Sequence, residues 1–161
     1  MGFLDRFRRS RPLSESELNE RSHVDGVRYR DLQILGQLTQ MGADLHAIRH
    51  TVFYSYFPAQ VTATAAADAL RAKGFAVTVS PLPEEFLIEH PEAPNPWRVT
   101  AERRDRGLIP DFLRESVDLC AAVADEFGGQ YDGWECGLTE VEAAAVEAAA
   151  VEAAAVEAQK P

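Results

Sequence analysis

The sequence predicts an α+β fold: a four-stranded antiparallel sheet in βαββαβ order, with an added N-terminal helix and a helical tail. Three observations predict it. Apolar residues recur at helical spacing in three stretches, 29–41, 62–73 and 110–127. Short runs rich in β-branched and aromatic residues, at 50–57, 75–79, 97–104 and 130–138, interleave with the last two of those stretches. Their order allows two right-handed crossovers within about 90 residues. That is the ferredoxin-like plan, in which the first and third strands are central and one sheet face meets both crossover helices. The other face is open, or covered by an added element such as helix 29–41.

Each element has a local cause. Ser14 and Glu17 form a capping box before a brief helix, with Leu13 placed to staple onto Leu18. In the next helix Leu32, Leu35, Leu38 and Met41 recur every third residue beside Ile34, and Gly42 stops it. His50 to Phe57 forms the first strand, halted by Pro58. Residues 62–73 are Ala-rich, with Ala66, Ala69 and Leu70 on one face, and end at Gly74. Phe75 to Val79 alternates as the second strand. Prolines 81, 83, 91, 94 and 96 then mark a connecting loop. The third strand, Trp97 to Arg104, sets Trp97, Val99 and Ala101 against Arg98, Thr100 and Glu102. Pro110 suits a first helical turn, followed by an apolar stripe that includes Leu113, Val117, Cys120, Ala124 and Phe127.

The last strand begins in an unusual way. Gln130-Tyr131-Asp132-Gly133-Trp134-Glu135 follows Gly128-Gly129, and Asp-Gly supplies backbone that tolerates a bulge. The segment predicts a strand entered through a local distortion, with Trp134 as a core residue beside it. The strand runs to about Leu138. After it, Val141–Ala158 repeats Val-Glu-Ala-Ala-Ala behind a second capping box, Thr139 with Glu142. A five-residue repeat advances the helix by about 500°, so neither Val nor Glu keeps to one face. No apolar seam results, and the tail is expected to be a solvated helical spacer.

Charge narrows the partners. The chain of 161 residues carries a net −10. Residues 1–11 hold four arginines against Asp5, and the tail holds five glutamates against Lys160. Most of this surface repels phosphate, so a basic site on a partner protein is the easier target. Phe3, Leu4 and Phe7 beside the arginines fit the pattern of a short interfacial helix of weak membrane affinity, although a frayed basic terminus is the reading favoured for this stretch. The domain organisation expected is a basic arm at 1–27, a folded domain at 28–138 and the tail at 139–161.

The chain offers little chemistry. Asp44, His46 and His50 could share a helical face as metal ligands, but His50 opens a strand, which breaks the spacing. Cys120 and Cys136 fit small buried hydrophobes in a reduced, cytoplasmic protein without signal peptide or transmembrane run. No nucleophile triad, phosphate-cradling glycine loop or nucleotide fingerprint is present. The expectation is a protein with no catalytic residues, no metal and no cofactor.

Three segments together resemble the RraB family, protein regulators of ribonuclease E. The first runs from Leu35-Gly36-Gln37-Leu38 to Gly42-Ala43-Asp44, ahead of an aromatic strand. The second is Ala69 to Gly74-Phe75-Ala76-Val77. The third, and the most specific, is Ala124-Asp125-Glu126-Phe127 followed by Tyr131-Asp132-Gly133-Trp134. The likeness covers about residues 30–138. It implies a small cytoplasmic ferredoxin-like domain that binds the non-catalytic part of ribonuclease E and restrains RNA turnover. The chain departs from the family in its basic arm and in a tail more helical and less acidic than usual.

The surface expected to meet a partner combines Tyr54 and Tyr56 of the first strand with the Asp132, Trp134 and Glu135 corner. Asp132 and Glu135 would pair with arginines of the partner. On the first strand the outward aromatics are either Phe53 and Phe57 or Tyr54 and Tyr56. Two other functions stay open. One is RNA binding by aromatics on the open sheet face, although the third strand lacks the aromatics of that recognition mode. The other is a membrane-adjacent adaptor using the basic arm.

Overall fold

A computed structural model describes residues 13–159. The basic segment from Phe3 to Phe7, read as a frayed terminus or a short interfacial helix, lies outside them. In chain order the elements are α1 (Glu15–Asn19), α2 (Tyr29–Gln40), β1 (Arg49–Phe57), α3 (Gln60–Arg71) and β2 (Ala76–Pro81). There follow α4 (Glu84–Glu89), β3 (Trp97–Arg106), α5 (Pro110–Glu126), β4 (Gln130–Cys136) and α6 (Glu140–Ala158). The strands form one sheet in the order β2-β3-β1-β4. Every neighbouring pair is antiparallel, and the first and third strands are central, as the sequence predicts.

Strand alternation sorts the sheet into two faces. Phe53 and Phe57 of β1, Val99 and Ala101 of β3 and Trp134 of β4 point to the helix side. There they meet Ala63, Ala66, Ala67 and Leu70 of α3 and Leu113, Val117, Cys120 and Ala124 of α5. Alanine lets α3 lie close to the sheet, and two T-shaped ring contacts bind the layers. Phe53 stands 5.9 Å from Phe75 and 6.4 Å from Phe112, centroid to centroid. Gly129 permits a close crossing: a Cβ there would lie 2.4 Å from the Phe57 ring.

Helix α2 does not cover the open face. Its Leu32 and Leu35 are buried in the same cluster as Phe53 and Trp134, which puts it on the helix side. The apolar stripe was legible, but its destination depended on Asp31. That carboxylate, buried on α2, accepts the Trp134 indole N–H at 2.8 Å and ties the helix to β4. Met41, the last of the apolar series, is exposed. Residues 20–27 pack against α5: Arg21 pairs with Asp118, Arg114 donates to the Asp25 carbonyl, and Val27 is buried.

The proline-rich connection holds a short helix, α4, where a loop is expected. Phe86 to Ile88 falls between prolines with Glu84 and Glu85 in the first turn, where acidic side chains favour the helix dipole. β4 ends at Cys136, so Leu138 lies beyond it and is exposed. Both expected capping boxes are present, at Ser14–Glu17 and at Thr139–Glu142.

The tail is a continuous helix with no buried residue, about 28 Å long at 1.5 Å per residue. Its base is held firmly. Arg49, whose side chain is fully buried, grips Glu142 through both guanidinium nitrogens at 2.8 and 2.9 Å. The same carboxylate accepts the backbone N–H groups of Asp44 and Thr139. These bonds hold the Glu142 carboxyl down at about 2. Thus the tail helix starts from an ion pair set into the fold.

Candidate functional site

The face away from α3 and α5 is uncovered among the described helices that pack on the sheet. Along β1 it presents His50, Val52, Tyr54 and Tyr56; along β3, Arg98, Thr100, Glu102 and Arg104. Val52 is buried yet lies outside the core cluster. It sits between its register partners Glu102 and Glu135 and gives this polar face a small apolar centre. The pair Tyr54 and Tyr56 is therefore the outward one, while Phe53 and Phe57 fill the core.

At β4 the backbone is distorted as its sequence suggests. Tyr54 is opposite Gly133 but Ser55 is opposite Tyr131, so Asp132 is the extra residue of a bulge. Gly133 has φ +146°, a conformation that side chains resist. The bulge turns Asp132 into solvent and leaves Glu135 beside the tyrosines. The Tyr54 hydroxyl donates to Glu135 at 2.5 Å, which pushes the phenol up to about 12. His50 meets Glu102 at 2.6 Å, and Arg104 joins the same carboxylate. Across the face the charge runs from Arg98 on β3, past two tyrosines, to Asp132 and Glu135 on β4.

Four of the five expected residues, Tyr54, Tyr56, Asp132 and Glu135, thus share one face and its β4 rim. Trp134 does not join them. Its indole is on the opposite side, 9% exposed, hydrogen-bonded to Asp31. Its position is that of a support under the corner. Burial raises Asp31 above the ordinary carboxylate range, against the pull of the Trp134 hydrogen bond. Tyr131 is driven upward by its own burial, beneath the Arg28 guanidinium at 6.0 Å.

A family model described as "Regulator of ribonuclease activity B", RraB, matches residues 30–136. That span is well over half of the chain, and it takes in α2, the whole sheet and the bulge. The chain belongs to the RraB family. Members of this family are regulators of ribonuclease activity rather than enzymes. A search of curated proteins found no match. The RraB region stops at the end of β4, so α6 and the segment before α2 lie outside it.

Other chemistry is sparse. Among the described residues no group of three His, Cys, Asp or Glu side chains could hold a metal. His46 and His50 are not brought to one site: His46 is exposed in a loop and His50 is engaged with Glu102. Cys120 and Cys136 are free thiols. Burial pushes the Cys120 thiol up to about 12 and so disfavours its thiolate. Among the described residues, no helix is long and apolar enough to cross a membrane.

Arg49 and Asp31 are the structural residues that local patterns did not single out. Glu142 was legible as a capping residue. Its second role needs Arg49, which is 93 residues away in sequence.

Proposed function

We propose that this chain is a non-catalytic regulator that binds a ribonuclease E-type enzyme through the open face of a ferredoxin-like domain spanning residues 28–138. The observation that carries the reading is the RraB family match, which includes every strand of the sheet. The central position of β1 and β3 supports the fold assignment. The contact surface proposed is Tyr54, Tyr56, Asp132 and Glu135, held in place by Trp134 from beneath. The tyrosines supply flat apolar area with polar tips, and the two carboxylates choose a basic partner segment. Regulation then follows from occlusion or scaffolding. A cytoplasmic setting fits the two free cysteines.

Direct RNA binding is the second reading, because Tyr54 and Tyr56 stand outward on a central strand, where base stacking would occur. The acidic rim formed by Asp132 and Glu135 opposes it. The deciding experiment measures binding of the purified full chain to the non-catalytic segment of ribonuclease E by calorimetry. An Asp132→Lys/Glu135→Lys variant and a single-stranded RNA serve as comparisons. Saturable binding to the protein segment, lost in the double variant, is expected. Absence of binding to that segment, or RNA binding abolished by Tyr54→Ala, would overturn the reading.

A further inference from the structure

A cleft of about 380 Å³ opens on the helix side of the sheet, away from the tyrosine face, where the α3–β2 turn, the end of β3 and α5 meet. Its apolar lining comes from Phe75, Ile109, Phe112 and Leu119. Phe75 is held by the Phe53 ring and is almost fully buried. The Arg103 guanidinium lies over the Phe75 ring at 5.3 Å and is fixed there by two hydrogen bonds to Asp105, at 2.8 and 2.9 Å. Thus one wall is an aromatic ring with a cation set above it.

The charges at this cleft are unevenly satisfied. Its acidic residues, Asp111 and Glu115, both face Arg114, at 2.9 and 3.7 Å. Asp105 is engaged by Arg103 and lies 3.7 Å from Arg106. Lys73 makes no ion pair among the described residues. Lys73 and Arg106 are therefore the cations at the mouth with least compensation, in a chain of net −10. The lining carries Lys73, Arg103 and Arg106 against Asp111 and Glu115, a slight positive excess where the Asp132–Glu135 rim is negative. The volume is at the small end for ligand sites and suits one large apolar side chain with its flanking backbone.

We infer that this cleft binds an acidic peptide segment of a second protein, taking one aromatic or leucine side chain against Phe75 and Phe112 and its neighbouring carboxylates at Lys73 and Arg106. Charge complementarity selects such a segment over the basic one that would suit the open face. A segment of this kind also gains from a desolvated ring contact, which a free inorganic anion does not. The site goes beyond the proposed ribonuclease contact and uses none of its residues.

The test uses the ¹⁵N-labelled full chain and a capped, fluorescently labelled peptide with one Phe flanked by three Glu or Asp on each side. Expected shifts map to Phe75, Arg103, Phe112 and Leu119. A Lys73→Glu/Arg106→Glu variant should weaken binding roughly tenfold or more, as should replacing the peptide's Phe with Ser. The Asp132→Lys/Glu135→Lys variant should bind the peptide unchanged, so failure here is separable from failure of the ribonuclease reading. Shifts confined to other surfaces, full displacement by inorganic phosphate at constant ionic strength, or self-association through α6 of a second copy at this cleft would overturn the inference.

Discussion

Consecutive residues of β1 do opposite work. Phe53 is 1% exposed and stands edge-on to two other rings, whereas Tyr54 faces outward with its hydroxyl on a surface carboxylate. The same alternation separates Phe57 from Tyr56. One side of the sheet supplies the fold with closely packed apolar surface. The other carries mostly polar side chains around Val52, among them the hydrogen-bonded pairs Tyr54–Glu135 and His50–Glu102. A sheet built this way can alter its contact face at little cost in stability, because the two faces share backbone but not packing.

Substitutions on β1 and its neighbours should expose that asymmetry. Phe53→Ala removes a ring at the centre of the core, and a loss of about 3–5 kcal/mol is expected from urea unfolding. A loss under about 1 kcal/mol would mean that the helix side is not the stabilising face. Next in size is Glu142→Gln, which breaks a charge-assisted grip on buried Arg49 and should cost about 1–3 kcal/mol at pH 7. Because Arg49 holds this carboxyl down at about 2, its contribution is present above about pH 4.5. It disappears as pH falls from there toward 2. The gap between wild type and Glu142→Gln should therefore close in that window, and a gap that persists at pH 2 would deny the ion pair its role.

Asp31 has the opposite sign. Burial raises its pKa in the folded protein, so its favourable contribution belongs to low pH and is lost as pH rises through the folded value. Asp31→Asn keeps an acceptor for the Trp134 indole and removes the buried charge. Near pH 7 it should change stability by less than about 1 kcal/mol or raise it, whereas Asp31→Ala should destabilise by leaving the indole N–H unpaired. Chemical denaturation of both variants at pH 7 checks the order. If Asn proves as harmful as Ala, the charge itself is needed on the closed side.

Much of this arrangement was legible in the chain. Helix spacing, strand composition and capping boxes are local, and the expected helices and strands formed within a few residues of where their own residues place them, while α4 arose in a stretch read as a loop. The Asp132–Gly133 bulge was legible for the same reason, since few residue pairs suit it. What sequence left open was decided by contacts between distant residues. Either Phe53 and Phe57 or Tyr54 and Tyr56 could have faced the core, and the helix layer with Gly129 against Phe57 settles it. Likewise α2 showed an apolar stripe but not the buried Asp31–Trp134 bond that sends it to the helix side. The Phe75–Arg103 cleft needs three elements to meet and has no linear signal.

The smallest expected effect is the sharpest test of the comparison. Asp132→Lys/Glu135→Lys changes two exposed side chains at the bulge and leaves Gly133 and Trp134 intact. Stability should stay within about 0.5 kcal/mol of the parent, since no buried group loses a partner. Binding of the basic partner segment should nonetheless be lost, because both carboxylates at the rim reverse sign. The loss of Glu135 should also return the Tyr54 phenol from about 12 toward its ordinary 10, visible as an earlier rise in ultraviolet absorbance during alkaline titration. A variant that binds normally would move the contact off this face. One that loses several kcal/mol would show that the corner serves the fold, and the two faces would not be independent.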